Sequence, residues 1–198
     1  MVQIMMNIDE FENEMQNVLK PKRFVHTQGV RYTCAALAMA HGCSLEKAQI
    51  AGVLHDCAKC YSDEELLDMA DKYGITLTKT EVNAPQLIHS KVGAFLAKEK
   101  YGVEDEEIIS AISYHTTGKP KMTELEKIVF IADYIEPNRR MLECLPECRQ
   151  AAFKDLDLGM YVILKHTLNY LKSKCDEQET DETTRSAYEY YKDLVKGE

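Results

Sequence analysis

Six residues of this chain have the types that a divalent metal centre needs: His26, the adjacent pair His55-Asp56, His89, His115 and Asp133. Imidazole and carboxylate ligands suit Fe, Mn, Co or Zn, and no thiolate is required. The chain has 6 histidines, so this set leaves only His41 and His166, which read as structural or exposed residues. Taken singly, each histidine reads as an ordinary core or surface residue. The doublet alters that reading. His55 and Asp56 close a largely apolar run (Ala48, Ile50, Ala51, Val53, Leu54), and burying two polar groups side by side is costly unless something pairs with them.

The elements that must position these residues are helices, and the expected fold class is all-α. Apolar residues at helical spacing mark Ile8 to Lys20. Pro21 opens a long helix from Lys22 to about Ala40, stopped by Gly42. Ser44 caps a third helix that runs into His55-Asp56. Ser62 and Glu65 form a capping box for Glu64 to Tyr73, and Thr123 and Glu126 form one for the helix that carries Asp133 and ends at Pro137. Ile75 to Ala84 reads as irregular. Pro85 starts a helix bearing His89, and Glu104 to His115 forms the next, acidic at its N-terminus as the helix dipole favours. Thr116 to Pro120 is a loop. Pro146 to Lys172 reads as one helical stretch, Cys175 to Glu182 as a polar linker and Thr183 to Lys196 as a last helix. No repeat or strand pattern emerges. The expected organisation is a single domain, 1–198, with a core at 20–170 and a C-terminal helical appendage at 176–198.

The candidate ligands thus sit on different helices, near ends or loops. That is the logic of a helical bundle whose site is built from inward-projecting side chains, and the placement leaves open coordination positions, which catalytic sites need. One octahedral ion could use His26, His55, Asp56 and Asp133 and keep two waters. His89 and His115 would then be spare. Two ions use all six residues, with Asp56 as the bridge. A pair roughly 3.5–4 Å apart can hold a bridging hydroxide and clamp a phosphoryl group from both sides. The expectation is a two-metal phosphohydrolase site.

Composition narrows the field. The formal net charge is −9, from 24 basic and 33 acidic residues, which argues against a nucleic-acid polymer as partner. No run approaches the roughly 18 apolar residues of a membrane span, so no membrane partner is expected. The acidic start is no signal peptide, and a cytoplasmic protein is expected. Its 7 cysteines read as reduced thiols. The pairs Cys57/Cys60 and Cys144/Cys148 could form a four-thiolate zinc site, but the second spacing is loose. Cys57 and Cys60 read better as small apolar wall residues beside the metal site.

Five runs carry a resemblance to a known family: Lys22-Arg-Phe-Val-His26, Ala51-Gly-Val-Leu-His-Asp56 with Ala58-Lys59, Ile88-His89-Ser90-Lys91-Val92-Gly93-Ala94, Ile112-Ser-Tyr-His-Thr-Thr-Gly118, and the run from Glu126 to Arg139 that contains ADYIEP. Over about residues 20 to 170 the chain resembles the HD-domain phosphohydrolase superfamily, and within it the YqeK family. The resemblance implies an HD-domain-like helical bundle, a di-iron-type centre, symmetrical hydrolysis of diadenosine tetraphosphate to two ADP, and a homodimer. It also implies the ligand sets: His26, His55, Asp56 and Asp133 for one metal, and His89 and His115 with bridging Asp56 for the other. The chain departs from the family pattern at Cys57, where a larger residue is expected, and at Glu189, where an Asn is expected.

The supporting chemistry follows from the residues. Metals lower the pKa of bound water and neutralise phosphate charge, which leaves the protein to position and stabilise. The candidate catalytic groups are Asp56, Lys59, His115 and Arg139. Lys59 follows the doublet by three residues and could reach a phosphate oxygen. Arg139 and, less favourably, Arg140 could hold outer phosphates bidentately. Thr116, Thr117 and Gly118 could offer hydroxyl and backbone donors to phosphate, or simply end a helix. Tyr188, Tyr190 and Tyr191, at helical spacing, are expected to pack on the body. Two other readings stay open: a phosphohydrolase for another nucleotide (a dNTP, a nucleoside monophosphate or a guanosine alarmone), and a non-enzymatic nucleotide-binding regulator.

Overall fold

The structure, a computed structural model, describes residues 7–174 and 181–197. Most of the expected linker, 175–180, lies outside them; Asp181 and Glu182 are described and open the last helix. The described residues form α-helices and one 3-10 turn, with no strand.

Asn7 caps α1 (Ile8–Val18) through a full capping box, and α1 buries Phe11 and Met15. Pro21 starts α2 (Pro21–His41), and Gly42 closes it. Next comes α3 (Leu45–Leu54), buried on most sides. It lies so close to α2 that a Cβ on Gly52 would stand 3.0 Å from the Arg31 backbone and from the Cys34 sulfur. This close crossing holds His26 beside the end of α3.

The sequence reading runs α3 through the doublet. In the structure the helix stops at Leu54, and His55 and Asp56 open a series of tight turns (Cys57 N–H to Leu54 O 3.0 Å, Lys59 N–H to Asp56 O 2.9 Å). No glycine or proline marks this end in the sequence. His55 keeps right-handed helical dihedrals (φ −52°, ψ −38°), and the tips of the two side chains, His55 Nε2 and Asp56 Oδ2, approach to 3.4 Å.

The expected capping box of Ser62 and Glu65 is present at α4 (Asp63–Lys72). The stretch read as irregular contains a short helix, α5 (Lys79–Asn83), capped by Thr78 and Glu81. A 3-10 turn (Pro85–Leu87) precedes α6 (His89–Glu99), so Pro85 starts the turn rather than the helix itself. Asp105 caps α7 (Glu106–Tyr114), and the Thr123/Glu126 box opens α8 (Glu124–Ile135). The stretch read as one helix from Pro146 is two, α9 (Leu145–Lys154) and α10 (Leu156–Lys174). Asp155 breaks it: its backbone is extended (φ −161°, ψ 132°), and its carboxylate accepts from Leu158 N–H at 2.8 Å. A cap of this kind contributes about 1 kcal/mol, enough to favour a fresh start over a continuous helix.

Against α10 lies α11 (Glu182–Lys196), which buries Ala187 and Tyr191. The C-terminal tyrosines pack as expected. Tyr191 takes a hydrogen bond from Met122 N–H and meets Tyr190 edge to face, and Tyr188 stacks on Tyr161. At the centre, α3 and α8 are surrounded by α2 and α7. No described helix is long and apolar enough to cross a membrane.

Candidate metal centre

The six candidate ligands converge at one place, where the end of α3 meets α2, α6, α7 and α8. His55, Asp56, His89 and His115 are almost fully buried, and His26 is nearly so. Asp133 is half-buried, with 21% of its side chain exposed. Two triads form, His26-His55-Asp56 and Asp56-His89-His115, each with its ligand atoms within 4.8 Å of one another. Asp56 belongs to both. Its Oδ2 faces His55 Nε2 (3.4 Å) and His26 Nε2 (3.8 Å), and its Oδ1 faces His89 Nε2 (3.2 Å) and His115 Nε2 (3.7 Å).

The rings are oriented from behind. His55 Nδ1 donates to Gly52 O (2.7 Å), His89 Nδ1 to Gln86 O (2.6 Å) and His115 Nδ1 to Ile112 O (2.7 Å). In each case the acceptor is the carbonyl three residues earlier. This fixes the tautomer with the proton on Nδ1 and frees the Nε2 lone pair. His26 differs: its Nδ1 donates to Glu136 Oε1 at 3.1 Å. Glu136 is buried, and its Oε2 also accepts from Asn138 N–H at 2.6 Å. It fits only because residue 29 is glycine; a Cβ there would stand 2.2 Å from the carboxylate.

The residues fit a metal. His26 Nε2 and His55 Nε2 are buried with no hydrogen-bond partner. His26 Nε2 lies 3.0 Å from Asp133 Oδ1, but off the hydrogen-bond axis, so proximity does not satisfy it. Orphaned lone pairs facing carboxylates in a buried site are costly unless a cation joins them.

Electrostatics separates the two sides. Burial disfavours a charged His26, yet Asp133, Glu136 and Asp56 outweigh it and raise the pKa. Burial pushes His89 down to about 4, helped by His115 and Lys59 and opposed by Asp56. Burial alone would raise both aspartates. The His55, His115 and His89 rings instead hold Asp56 well below the usual carboxylate range, and His26, His55 and Arg139 do the same for Asp133.

Around the centre, Lys59 is partly buried, and its Nζ lies 3.4 Å from Gln86 O. Burial lowers its pKa against the attraction of Asp56. Arg139 donates to Asp133 through Nη2 to Oδ1 (3.0 Å) and Nε to the carbonyl (2.9 Å). Thr116 and Thr117 are half-buried at the end of α7, with the Thr116 hydroxyl 3.1 Å from Ser90 Oγ. Gly118 is buried, and its N–H closes α7 on Tyr114 O at 2.9 Å. Cys57 is buried beside the doublet, but Cys60 is exposed and is no wall residue. His41 reaches Ala152 O (2.8 Å) and His166 pairs with Glu147 (2.9 Å), both remote from the six ligands in their contacts.

Two functional residues escaped the sequence reading. Arg23 donates to Asp56 Oδ2 at 2.9 Å, so a cation already touches the shared carboxylate. Its signal was its place three residues before His26. Glu136 holds His26, and its signal is an acid beside Pro137, three residues after Asp133, at the C-cap of α8.

Residues 23–138 match the HD domain family. A Bacillus subtilis protein named "Bis(5'-nucleosyl)-tetraphosphatase, symmetrical" is 38% identical over 169 residues, covering 85% of this chain and 90% of that protein. The Staphylococcus aureus protein of the same name is 34% identical over 171 residues, covering 85% of this chain and 87% of its own length. A crystal structure from Clostridium acetobutylicum, described as a predicted HD superfamily hydrolase involved in NAD metabolism, superposes with a TM-score of 0.89 at 34% identity. It covers 96% of this chain and 99% of that one. The matched segment reaches from Arg23, before the first candidate ligand, to Asn138, just past Glu136, and on that evidence the chain belongs to the HD domain family.

Proposed function

We propose that this protein is a metal-dependent phosphohydrolase that cleaves diadenosine tetraphosphate symmetrically, adding one water to give two ADP. The observation that carries this reading is Asp56, whose two oxygens face two separate histidine pairs. That arrangement suits a pair of divalent ions sharing one carboxylate: His26, His55 and Asp133 on one side, His89 and His115 on the other. Ions held there would acidify water and neutralise phosphate charge. The proposed metal is iron, with Mn, Co or Zn compatible with the same donors.

The chain's own residues do the rest. Asp56, with the imidazoles fixed from behind, sets the geometry at the attacked phosphorus. His115 completes the second triad and, with Nδ1 held by Ile112 O, turns its Nε2 toward it. Lys59, partly withdrawn from water, supplies a positive charge close to Asp56 for a phosphate oxygen. Arg139, anchored on Asp133, presents a guanidinium at the exposed rim. Thr116 and Thr117 offer hydroxyls from the opposite edge. Gly118 contributes through the turn that sets those hydroxyls, since its own N–H is engaged. The proposed setting is cytoplasmic, as a single domain acting as a homodimer.

The test is product analysis. Protein purified anaerobically, with its metal quantified, is given diadenosine tetraphosphate, and the products are identified by mass spectrometry. Two ADP and two metal equivalents per chain are expected. ATP plus AMP would refute symmetrical cleavage, and full activity with one equivalent would remove the second ion. A parallel panel of dNTPs, nucleoside monophosphates and guanosine alarmones decides whether another nucleotide is turned over faster.

A further inference from the structure

Beside the metal centre a cleft of about 540 Å³ opens between the N-terminus of α2 and the segment after α8. His26 forms part of its wall, so the cleft adjoins the ligand cluster directly. In a chain of net charge −9 it is lined by Lys20, Lys22, Arg23, Arg139 and Arg140. Among the described residues the only acid on its wall is Glu136, turned to His26 and Asn138 N–H. Arg23 and Arg139 are tied to Asp56 and Asp133 and join the cleft to the centre. Lys20, Lys22 and Arg140 have no ion pair among the described residues.

The helix end sharpens the point. Acids belong in the first turn, near the positive pole of the helix dipole, and cations near it are unfavourable. The first turn of α2 has no acid and no side-chain cap, and Lys20, Lys22 and Arg23 crowd there instead. Two unpaired lysines at a positive helix pole, with the unpaired Arg140 across the cleft and the buried unpartnered Nε2 of His26 beside them, call for an anionic ligand. The cavity on the His89/His115 side is different. It is smaller, about 220 Å³, and its lysines, Lys91 and Lys119, are already paired with Glu81 and Glu126.

We propose that the cleft is the leaving-group subsite, where Lys20, Lys22 and Arg140 hold the departing nucleoside diphosphate. The inference rests on the phosphohydrolase reading above and adds to it which half of the substrate lies where. Its volume suits one nucleotide half, within the roughly 300–1,000 Å³ of ordinary ligand sites. In the reaction the water oxygen bonds to the attacked phosphorus. The central bridging P–O bond breaks, and its electron pair stays on the departing oxygen while the water protons pass to solvent. Negative charge therefore grows on the diphosphate that leaves. Unpaired cations are most effective there, and the paired lysines of the smaller cavity are not.

The test compares the metal-loaded wild type with Lys20→Ala, with the double variant Lys22→Ala/Arg140→Ala and with the conservative Lys22→Arg. The readouts are KM for diadenosine tetraphosphate, the inhibition constant of ADP, calorimetric ADP affinity and metal content. In the double variant KM and the ADP constants are expected to rise about tenfold, kcat to fall about tenfold because the charge these cations meet grows as the bond breaks, and metal content to hold. Lys20→Ala moves the same constants less, and Lys22→Arg, which keeps the charge, leaves them near the wild-type values. KM and ADP affinity within twofold of wild type in the double variant would overturn the subsite. If the wild type leaves diadenosine tetraphosphate intact, the proposed reaction fails, and the calorimetric ADP comparison still decides whether the cleft takes a nucleoside diphosphate.

Discussion

The two halves of the centre use the same ring and orient it differently. On the His89/His115 side, both imidazoles lean on backbone carbonyls, and one oxygen of Asp56 is the nearby carboxylate. On the His26 side, Asp133, Glu136 and the other Asp56 oxygen crowd the ring. A backbone carbonyl fixes a tautomer and adds little charge. A carboxylate fixes it and also makes the ring a stronger donor. Under the two-ion proposal the His26 half would hold its cation more firmly, and the other half, with burial depressing His89 and fewer acids, would hold one more loosely and keep positions free for substrate. The residue that makes them one site is Asp56.

Removing that residue breaks the comparison altogether. Asp56→Ala takes a ligand from both halves and leaves Arg23 without its partner. Both metal equivalents should be lost and turnover should fall by about three orders of magnitude or more, as expected when the group organising charge stabilisation disappears. Helical content by circular dichroism should survive, because the apolar contacts of α3 and α8 do not depend on this carboxylate. Activity within tenfold of wild type would mean that Asp56 is not the shared ligand.

Glu136→Gln addresses one half only. The amide can still accept from His26 Nδ1 but carries no charge. Loss of such a supporting carboxylate weakens metal binding by about 10–100-fold. The loss should be confined to one metal equivalent in chelator competition, with the other unchanged. Equal weakening of both equivalents would show that the halves are not distinct. Gly29 makes an internal check: Gly29→Ala must push the Glu136 carboxylate aside, so it should reproduce the same selective loss.

Lys59→Ala is expected to do less. The ammonium lies near the centre but ligates nothing, so metal content should hold while kcat/KM falls about tenfold, the scale of one charged contact to phosphate. Loss of metal in this variant would place Lys59 among the groups that hold the centre together.

The unequal legibility of the two halves has a physical basis. His55-Asp56, His89 and His115 were readable because each stands out chemically from apolar helical neighbours. The carbonyls that orient three of these rings sit three residues upstream, a local relation available at the helix ends where these histidines lie. Glu136 and Gly29 were not readable, since their roles exist only once the end of α8 lies against α2. The same distinction runs through the fold. Capping boxes at Ser62 and Thr123 are written in adjacent residues and were recovered. The stop at Leu54 has no breaker residue, and His55 itself keeps right-handed helical dihedrals there, so nothing in the residue types marks it. Asp155 is the intermediate case: its capping role was legible in type, yet the apolar pattern on both sides concealed the break.

The mildest probe changes no residue and asks whether the two halves differ in proton affinity as they do in surroundings. In metal-free protein His26 should titrate above the ordinary 6.5 and His89 well below it, near 4. The signs for stability are opposite. The contribution of His89, whose folded pKa is depressed, is whole above 6.5 and is lost as pH falls toward 4, because the unfolded chain takes up the proton first. The contribution of His26, whose folded pKa is raised, is whole below 6.5 and fades as pH rises through its folded value. Between pH 7 and 5 the His89 loss therefore grows while the His26 contribution is filling in, and the net fall in Tm should be small. In His89→Ala the loss on acidification should shrink, and in His26→Ala it should steepen. Two-dimensional NMR of the imidazole signals gives the titration order directly; His26 and His89 titrating together would mean that the acids around His26 and the burial of His89 do not set the halves apart.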